Sequence, residues 1–149
     1  MTVRWIFASL HLLALAIGFA GIWWRARSLR GTLDPAGLKR VFLADNLWGA
    51  AAALWIVTGL ARVFGNMEKG TVYYFGQPVF YVKMALFAAV FLLELWPMAT
   101  LVRWRIRLRR GEVLDTGSAP ALARISDVQT LLVILIVFAA TALARGMRP

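Results

Sequence analysis

Four long stretches of this chain are apolar at nearly every position, and most of the charged residues fall between them. They cover residues 3–24, 41–64, 78–102 and 125–144. Each holds about 20 residues or more, enough for a helix rising 1.5 Å per residue to cross a hydrocarbon core about 30 Å thick. A soluble helix would show an apolar stripe on one side only. The pattern therefore predicts an all-α membrane protein: a single domain, residues 1–149, of four transmembrane helices forming an antiparallel four-helix bundle. The first stretch ends in Trp23-Trp24-Arg25-Ala26-Arg27, bulky and charged where a signal-peptide cleavage site needs small residues, so it is expected to be retained.

The breaks between the stretches carry turn chemistry. In "GTLDPAGLKR", Asp34 is a candidate N-cap with Pro35 in the first helical position. "GSAPALARI" repeats the device with Ser118 and Pro120. "GNMEKGTVYYFGQP" reads as an outer loop; Tyr73, Tyr74 and Phe75 would either mark the membrane surface or cover an opening, the surface role being the expectation. Trp5, Trp23, Trp24, Trp48, Trp96 and Trp104 fall near span ends, as interfacial anchors do.

Composition adds a direction. Of the 149 residues, 61% are hydrophobic, yet the net charge is +10. One side of the bundle would carry Arg25, Arg27, Arg30, Lys39 and Arg40, together with Arg103, Arg105, Arg107, Arg109, Arg110 and Arg124. The other side carries fewer cations: Arg4, Arg62, Lys69, Arg145 and Arg148. The positive-inside rule then places both basic links in the cytoplasm and both termini outside. The run "RWRIRLRR" is expected to meet anionic lipid headgroups, not nucleic acid, since no nucleic-acid-binding fold accompanies it. The chain has no cysteine, which excludes disulfides, thiolate metal sites and cysteine nucleophiles.

Ionisable residues at membrane depth are costly and mark candidate sites. They are His11, Asp45, Lys83, Glu94 and Asp127. His11, the only histidine, would lie about 10–12 Å below the outer end of the first helix, on a face continued by Ala8, Ala14, Leu15, Gly18 and Gly21. Small residues mark close helix approach, so this face should point inward. Lys83 would lie level with His11 and share a face with Glu94, near which Pro97 should kink the third helix. Asp45 would sit level with Glu94, on a face running through Gly49, Ala52, Ile56 and Gly59. In the fourth span a stripe runs Asp127, Thr130, Ile134, Val137, Thr141. Two polar layers result: an outer one of His11 and Lys83, and an inner one of Asp45, Asn46 and Glu94, extended by Asp127 and Gln129.

Each of these has a plain structural alternative. Asp45 could pair with Arg40 or an arginine of the second basic link, and Asp127 with Arg124. Lys83 could reach outward to the interface, and His11 could bond a neighbouring carbonyl. Zinc wants three or four nitrogen, sulfur or carboxylate ligands, and the outer layer offers one. No Ser-His-Asp arrangement is visible, and the methionines Met1, Met67, Met84, Met98 and Met147 do not cluster for copper. Haem b asks for less: one axial ligand and an apolar slot. His11 would bind the iron, Met84, Lys83 or a partner chain could supply a sixth ligand, and Lys83 or Arg62 could meet the propionates.

The segments "FASLHLLALAIGFAG", "FLADNLWGAAAALWIVTGL", "FYVKMALFAAVFLLELWPMATLVRWR" and "RISDVQTLLVILIVFAATALARG" resemble a bacterial family of predicted membrane proteins, domain of unknown function 2214. The wider group is similar to the HemJ-type protoporphyrinogen IX oxidases and the CopD copper-resistance proteins. The HemJ resemblance rests on His11 before its small-residue run, on the lysine of "YVKMALFAAVFLLE" and on the polar start of "ISDVQTLLVILIVF". It implies haem b at His11, a part in activity for Lys83, and a place in the bacterial inner membrane. Where HemJ-type proteins carry Leu-Pro-Arg after the first span, this chain reads Ile22-Trp23-Trp24-Arg25. Three functions follow as expectations: a haem-binding, redox-linked protein; a cofactor-free scaffold or assembly factor, which could be a homo-oligomer; and a proton or metal carrier using both polar layers. Whether the chain is an enzyme stays open.

Overall fold

The computed structural model describes residues 2–65 and 70–146. Met1, Met67, Lys69, Met147 and Arg148, which entered the sequence reading, lie outside the described residues. Among the described residues there are five helices and no strand. Four are long: α1 (Thr2–Arg30), α2 (Pro35–Phe64), α4 (Pro78–Arg109) and α5 (Ala119–Ala144). All four are apolar and long enough to span a membrane. The fifth, α3 (Gly70–Phe75), is a short helix within the expected outer loop.

The helices overrun the expected spans. With 29, 30, 32 and 26 residues they are about 39–48 Å long at 1.5 Å per residue. The expected link cations Arg25, Arg27, Arg30, Lys39, Arg40, Arg103, Arg105, Arg107, Arg109 and Arg124 are thus helical. This end of the bundle, where α1 turns into α2, is the basic end; α3 lies at the opposite end. The turn is built as the sequence predicts: Asp34 Oδ1 accepts from the Gly37 N–H at 2.7 Å, with Pro35 opening the helix. Gly37 is required there, because a Cβ would stand 1.8 Å from the Thr32 carbonyl oxygen. Ser118 precedes α5 but makes no side-chain capping bond.

α1 is the central element, packing against α2 and α5, while α4 packs on α5. The small residues of α1 do mark its approach to α2. A Cβ on Gly21 would lie 3.0 Å from the Trp48 backbone nitrogen, and one on Gly18 would lie 3.2 Å from the Trp48 ring. Two faces differ from expectation. The buried stripe of α2 is Val41, Ala44, Trp48, Ala51, Trp55 and Thr58, and Gly49 faces open space. That of α5 includes Leu122, Ser126, Gln129, Val133 and Ile136, leaving Asp127, Ile134 and Val137 to one side. Trp48 and Trp104 are buried core residues and not interfacial anchors, whereas Trp5, Trp23 and Trp96 are exposed.

Two apolar clusters fill the interior. One occupies the basic end around Leu29, Val41, Leu101, Trp104 and Leu122. The other fills the middle around Ala14, Ile22, Trp48, Trp55, Val90, Val133 and Ile136.

Candidate functional site

The inner polar layer centres on a residue that the charge count had placed in a link. Arg25 is on α1, 0% exposed, and all five of its N–H donors are used. Nε donates to Ser126 Oγ at 3.1 Å. Nη1 donates to Asp45 Oδ1 at 2.8 Å and to Glu94 Oε1 at 2.7 Å. Nη2 donates to Glu94 Oε2 at 2.8 Å and to Gln129 Oε1 at 3.0 Å. One side chain therefore joins α1 to α2, α4 and α5.

The acceptors are satisfied in turn. Gln129 Nε2 donates to Glu94 Oε2 at 2.9 Å and to the Val90 carbonyl at 3.1 Å. Ser126 donates to the Leu122 carbonyl. Asp45 Oδ2 accepts from Arg105 Nη2 at 2.7 Å, and the same nitrogen reaches Asn46 Oδ1 at 3.0 Å. Two arginines thus face two carboxylates, and no buried side-chain nitrogen or oxygen among the described residues lacks a partner. A closed, charge-balanced network is the arrangement in which buried ions are tolerated.

Of the two alternatives for Asp45, the structure shows the second: it pairs with Arg105 of the second basic run, and also with Arg25, not with Arg40. Asp127 is outside the network; it pairs with Arg30, not Arg124, and both partners are exposed. Only the tertiary fold brings α1 and α5 side by side at that point.

The outer layer lies fourteen residues back along α1, about 21 Å from Arg25. His11 is bound through both ring nitrogens. Trp55 Nε1–H donates to His11 Nε2 at 2.9 Å, and Nδ1 lies 2.9 Å from Thr58 Oγ1. An indole N–H can only donate, so Nε2 is the acceptor and the proton of the neutral ring sits on Nδ1. The Thr58 hydroxyl in turn donates to the Leu54 carbonyl at 2.7 Å. Phe87 of α4 packs edge-on against Trp55, with ring centres 5.7 Å apart. Gly59 leaves the room for the imidazole: a Cβ there would stand 3.3 Å from His11 Cε1.

Beside His11 is a cavity of about 290 Å³. Arg62 of α2, Lys83 of α4, Thr141 of α5 and Tyr73 and Tyr74 of α3 line it. Tyr73 is tied to α5 through its hydroxyl, which donates to the Leu143 carbonyl at 3.2 Å. The expected surface aromatics thus divide: Tyr73 and Tyr74 line the cavity, and Phe75 is exposed. His11, Lys83 and Arg62 come together here. Met84, next to Lys83 in sequence, is 42% exposed and does not line the cavity.

The residues do not fit haem as they stand. The position that an iron would take on Nε2 is held by the Trp55 N–H, and Nδ1 is held by Thr58. The cavity is at the lower limit of small-ligand pockets, about 300 Å³. Among the described residues no three of His, Cys, Asp or Glu stand together as a metal site.

A family model described as "Predicted membrane protein (DUF2214)" matches residues 3–148. The chain belongs to this family. Nothing among the curated proteins and nothing among the solved structures matches it. The DUF2214 assignment agrees with the four apolar helices and leaves the chemistry to the two polar layers.

Proposed function

We propose that this DUF2214 protein is a membrane-embedded binding protein for a small organic ligand with an anionic or hydrogen-bonding head, held in the cavity beside His11. One observation carries the reading: His11, Arg62, Lys83, Thr141, Tyr73 and Tyr74, drawn from all five helices, converge on a single cavity. Ionisable side chains at that depth would be selected against without a use. Haem b is left out of this reading because both nitrogens of His11 are engaged. Proton or metal carriage is disfavoured by the apolar cluster between the two polar layers. The Arg25 network is read as the clamp that fixes the bundle.

In this reading the protein resides in a bacterial inner membrane with its basic end in the cytoplasm and both termini outside, an orientation that the excess of Lys and Arg at that end supports. There Arg103, Arg107, Arg109 and Arg110 would meet anionic headgroups.

The test is small-molecule content. Protein purified in mild detergent is extracted and compared with Thr141→Trp, which fills the cavity from the exposed side of α5. The variant should elute identically and lose a molecule that the wild type carries. Equal content in the two proteins would reject the reading.

A further inference from the structure

α1 packs against α2 and α5, and α4 packs on α5, whereas α2 and α4 meet through side chains. At the basic end Arg105 of α4 bridges them. Its Nη2 donates to Asp45 Oδ2 at 2.7 Å, to Asn46 Oδ1 at 3.0 Å and to the Phe42 carbonyl at 3.3 Å, and its guanidinium lies 4.9 Å from the centre of the Phe42 ring. Beside this bridge, between the first turns of α2 and the end of α4, is a groove of about 500 Å³. Leu33, Leu38, Phe42, Leu43 and Leu108 give it apolar walls. Lys39 also lines it, and no carboxylate is among its described lining residues. The Lys39 ammonium makes no hydrogen bond or ion pair with the described residues.

The height of the groove in the bundle decides what it meets. The exposed Arg4 and Arg27 are about 34 Å apart along α1, close to the thickness of a hydrocarbon core, about 30 Å. Gly21 of α1 lies against the Trp48 backbone of the antiparallel α2, which sets Arg27 level with Phe42. Lys39, about one turn nearer the basic tip, is therefore at the height of lipid headgroups, and Phe42 and Leu43 are at the height of the first chain carbons. Cation towards water and apolar wall towards the midplane is the polarity of a single lipid leaflet.

We infer that this groove binds one anionic phospholipid of the leaflet at the basic end. Its phosphate rests on the Lys39 ammonium, and the upper part of one acyl chain lies against Phe42 and Leu43. Bulk lipid meets Arg103, Arg107, Arg109 and Arg110 by charge alone. The groove adds a shaped apolar wall beside its cation, which holds one molecule in place. The inference is independent of what occupies the cavity beside His11.

The test is native mass spectrometry of the full chain in detergent, titrated with dioleoyl phosphatidylglycerol, dioleoyl phosphatidylcholine or glycerol 3-phosphate. Lys39→Gln removes the cation, and Arg40→Gln removes an exposed neighbouring cation that does not line the groove. Leu43→Trp fills the groove from an exposed position, and Leu131→Trp, exposed on α5, is its control. The wild type should carry one phosphatidylglycerol with about a fivefold preference over phosphatidylcholine. Lys39→Gln should erase the preference, and Arg40→Gln should keep it. Leu43→Trp should weaken phosphatidylglycerol, and Leu131→Trp should not. Glycerol 3-phosphate should not bind.

Equal binding of the two lipids by the wild type, or equal losses in Lys39→Gln and Arg40→Gln, would mean diffuse surface charge and no site. Glycerol 3-phosphate bound as tightly as phosphatidylglycerol would make the ligand a free phosphate. Unchanged lipid binding in Leu43→Trp would put the chain elsewhere. A dimer that Leu43→Trp dissociates would mean that a second copy covers the groove. Each of these outcomes overturns the inference.

Discussion

The guanidinium of Arg25 holds both carboxylate oxygens of Glu94, at 2.7 and 2.8 Å, across 69 residues of sequence. A planar fork meeting a carboxylate through two parallel bonds is the strongest geometry available to an ion pair. Removing one partner leaves the other buried and uncompensated, which costs about 3–5 kcal/mol. Arg25→Met and Glu94→Leu should each destabilise the protein by that amount in equilibrium unfolding from detergent. The double variant should cost at least about 1.5 kcal/mol less than the sum, because Asp45 keeps its 2.7 Å bond to Arg105. Additive losses would mean that the pair is not coupled.

Arg25 was legible in the sequence through a signal other than charge. It lies four, seven and eleven residues beyond Gly21, Gly18 and Ala14, so a continuing helix puts it on the same inward stripe. A span length of about 20 residues cut the helix at Trp24 and assigned Arg25 to a link by its sign alone. The facing of α2 and α5 was harder to read. In a helix apolar on all sides, hydropathy marks no inside, and the fit of Trp48 against Gly18 and Gly21, with the bonds of Asp45, Trp55 and Thr58 to α1, sets the facing of α2. The outer layer was visible because His11 and Lys83 are isolated polar residues at one level. The hydrogen-bond partners of His11, Trp55 and Thr58, are unremarkable in the sequence and acquire a role only when α2 is seen beside α1.

Asp45 and Asp127 test whether position or charge governs stability. Asp45 is 11% exposed and bridges two arginines; Asp127 is 49% exposed and meets one. Exposed pairs contribute about 0–1 kcal/mol, while a buried partner lost costs several times more. Asp127→Asn should therefore shift the unfolding midpoint little, and Asp45→Asn should lower it clearly. Equal shifts would show that the network around Arg25 is no more demanding than a surface pair.

Gly37 and Gly21 test close approach of two kinds. At Gly37 an added Cβ would stand 1.8 Å from the backbone oxygen of Thr32, so Gly37→Ala must move the turn and release the Asp34 cap. Loss of such a cap alone costs about 1 kcal/mol. At Gly21 the neighbour is the Trp48 backbone at 3.0 Å, so Gly21→Ala asks for a shift of a few tenths of an ångström and Gly21→Ile for separation of α1 from α2. Overpacking of this kind costs about 1–3 kcal/mol. The order of loss in thermal unfolding should be Gly21→Ile above Gly21→Ala. A tolerated isoleucine would contradict the helix contact.

His11 offers a measurement with a single answer, because the chain contains one histidine. With Trp55 donating to Nε2, the neutral ring must carry its proton on Nδ1. Protein labelled with nitrogen-15 histidine should show one pair of ring resonances, with Nδ1 in the protonated range and Nε2 in the unprotonated range. Trp55→Phe removes the donor and should release that tautomer preference, whereas Thr58→Val should weaken it from the other side. The same sample, prepared from cells supplied with haem, should show no Soret band that depends on His11. A His11-dependent band would mean that Trp55 yields Nε2 to iron and that the cavity opens beyond its present 290 Å³. The resonances and the spectrum thus test one arrangement of atoms from two directions, and they must agree for the hydrogen-bonded His11 to stand.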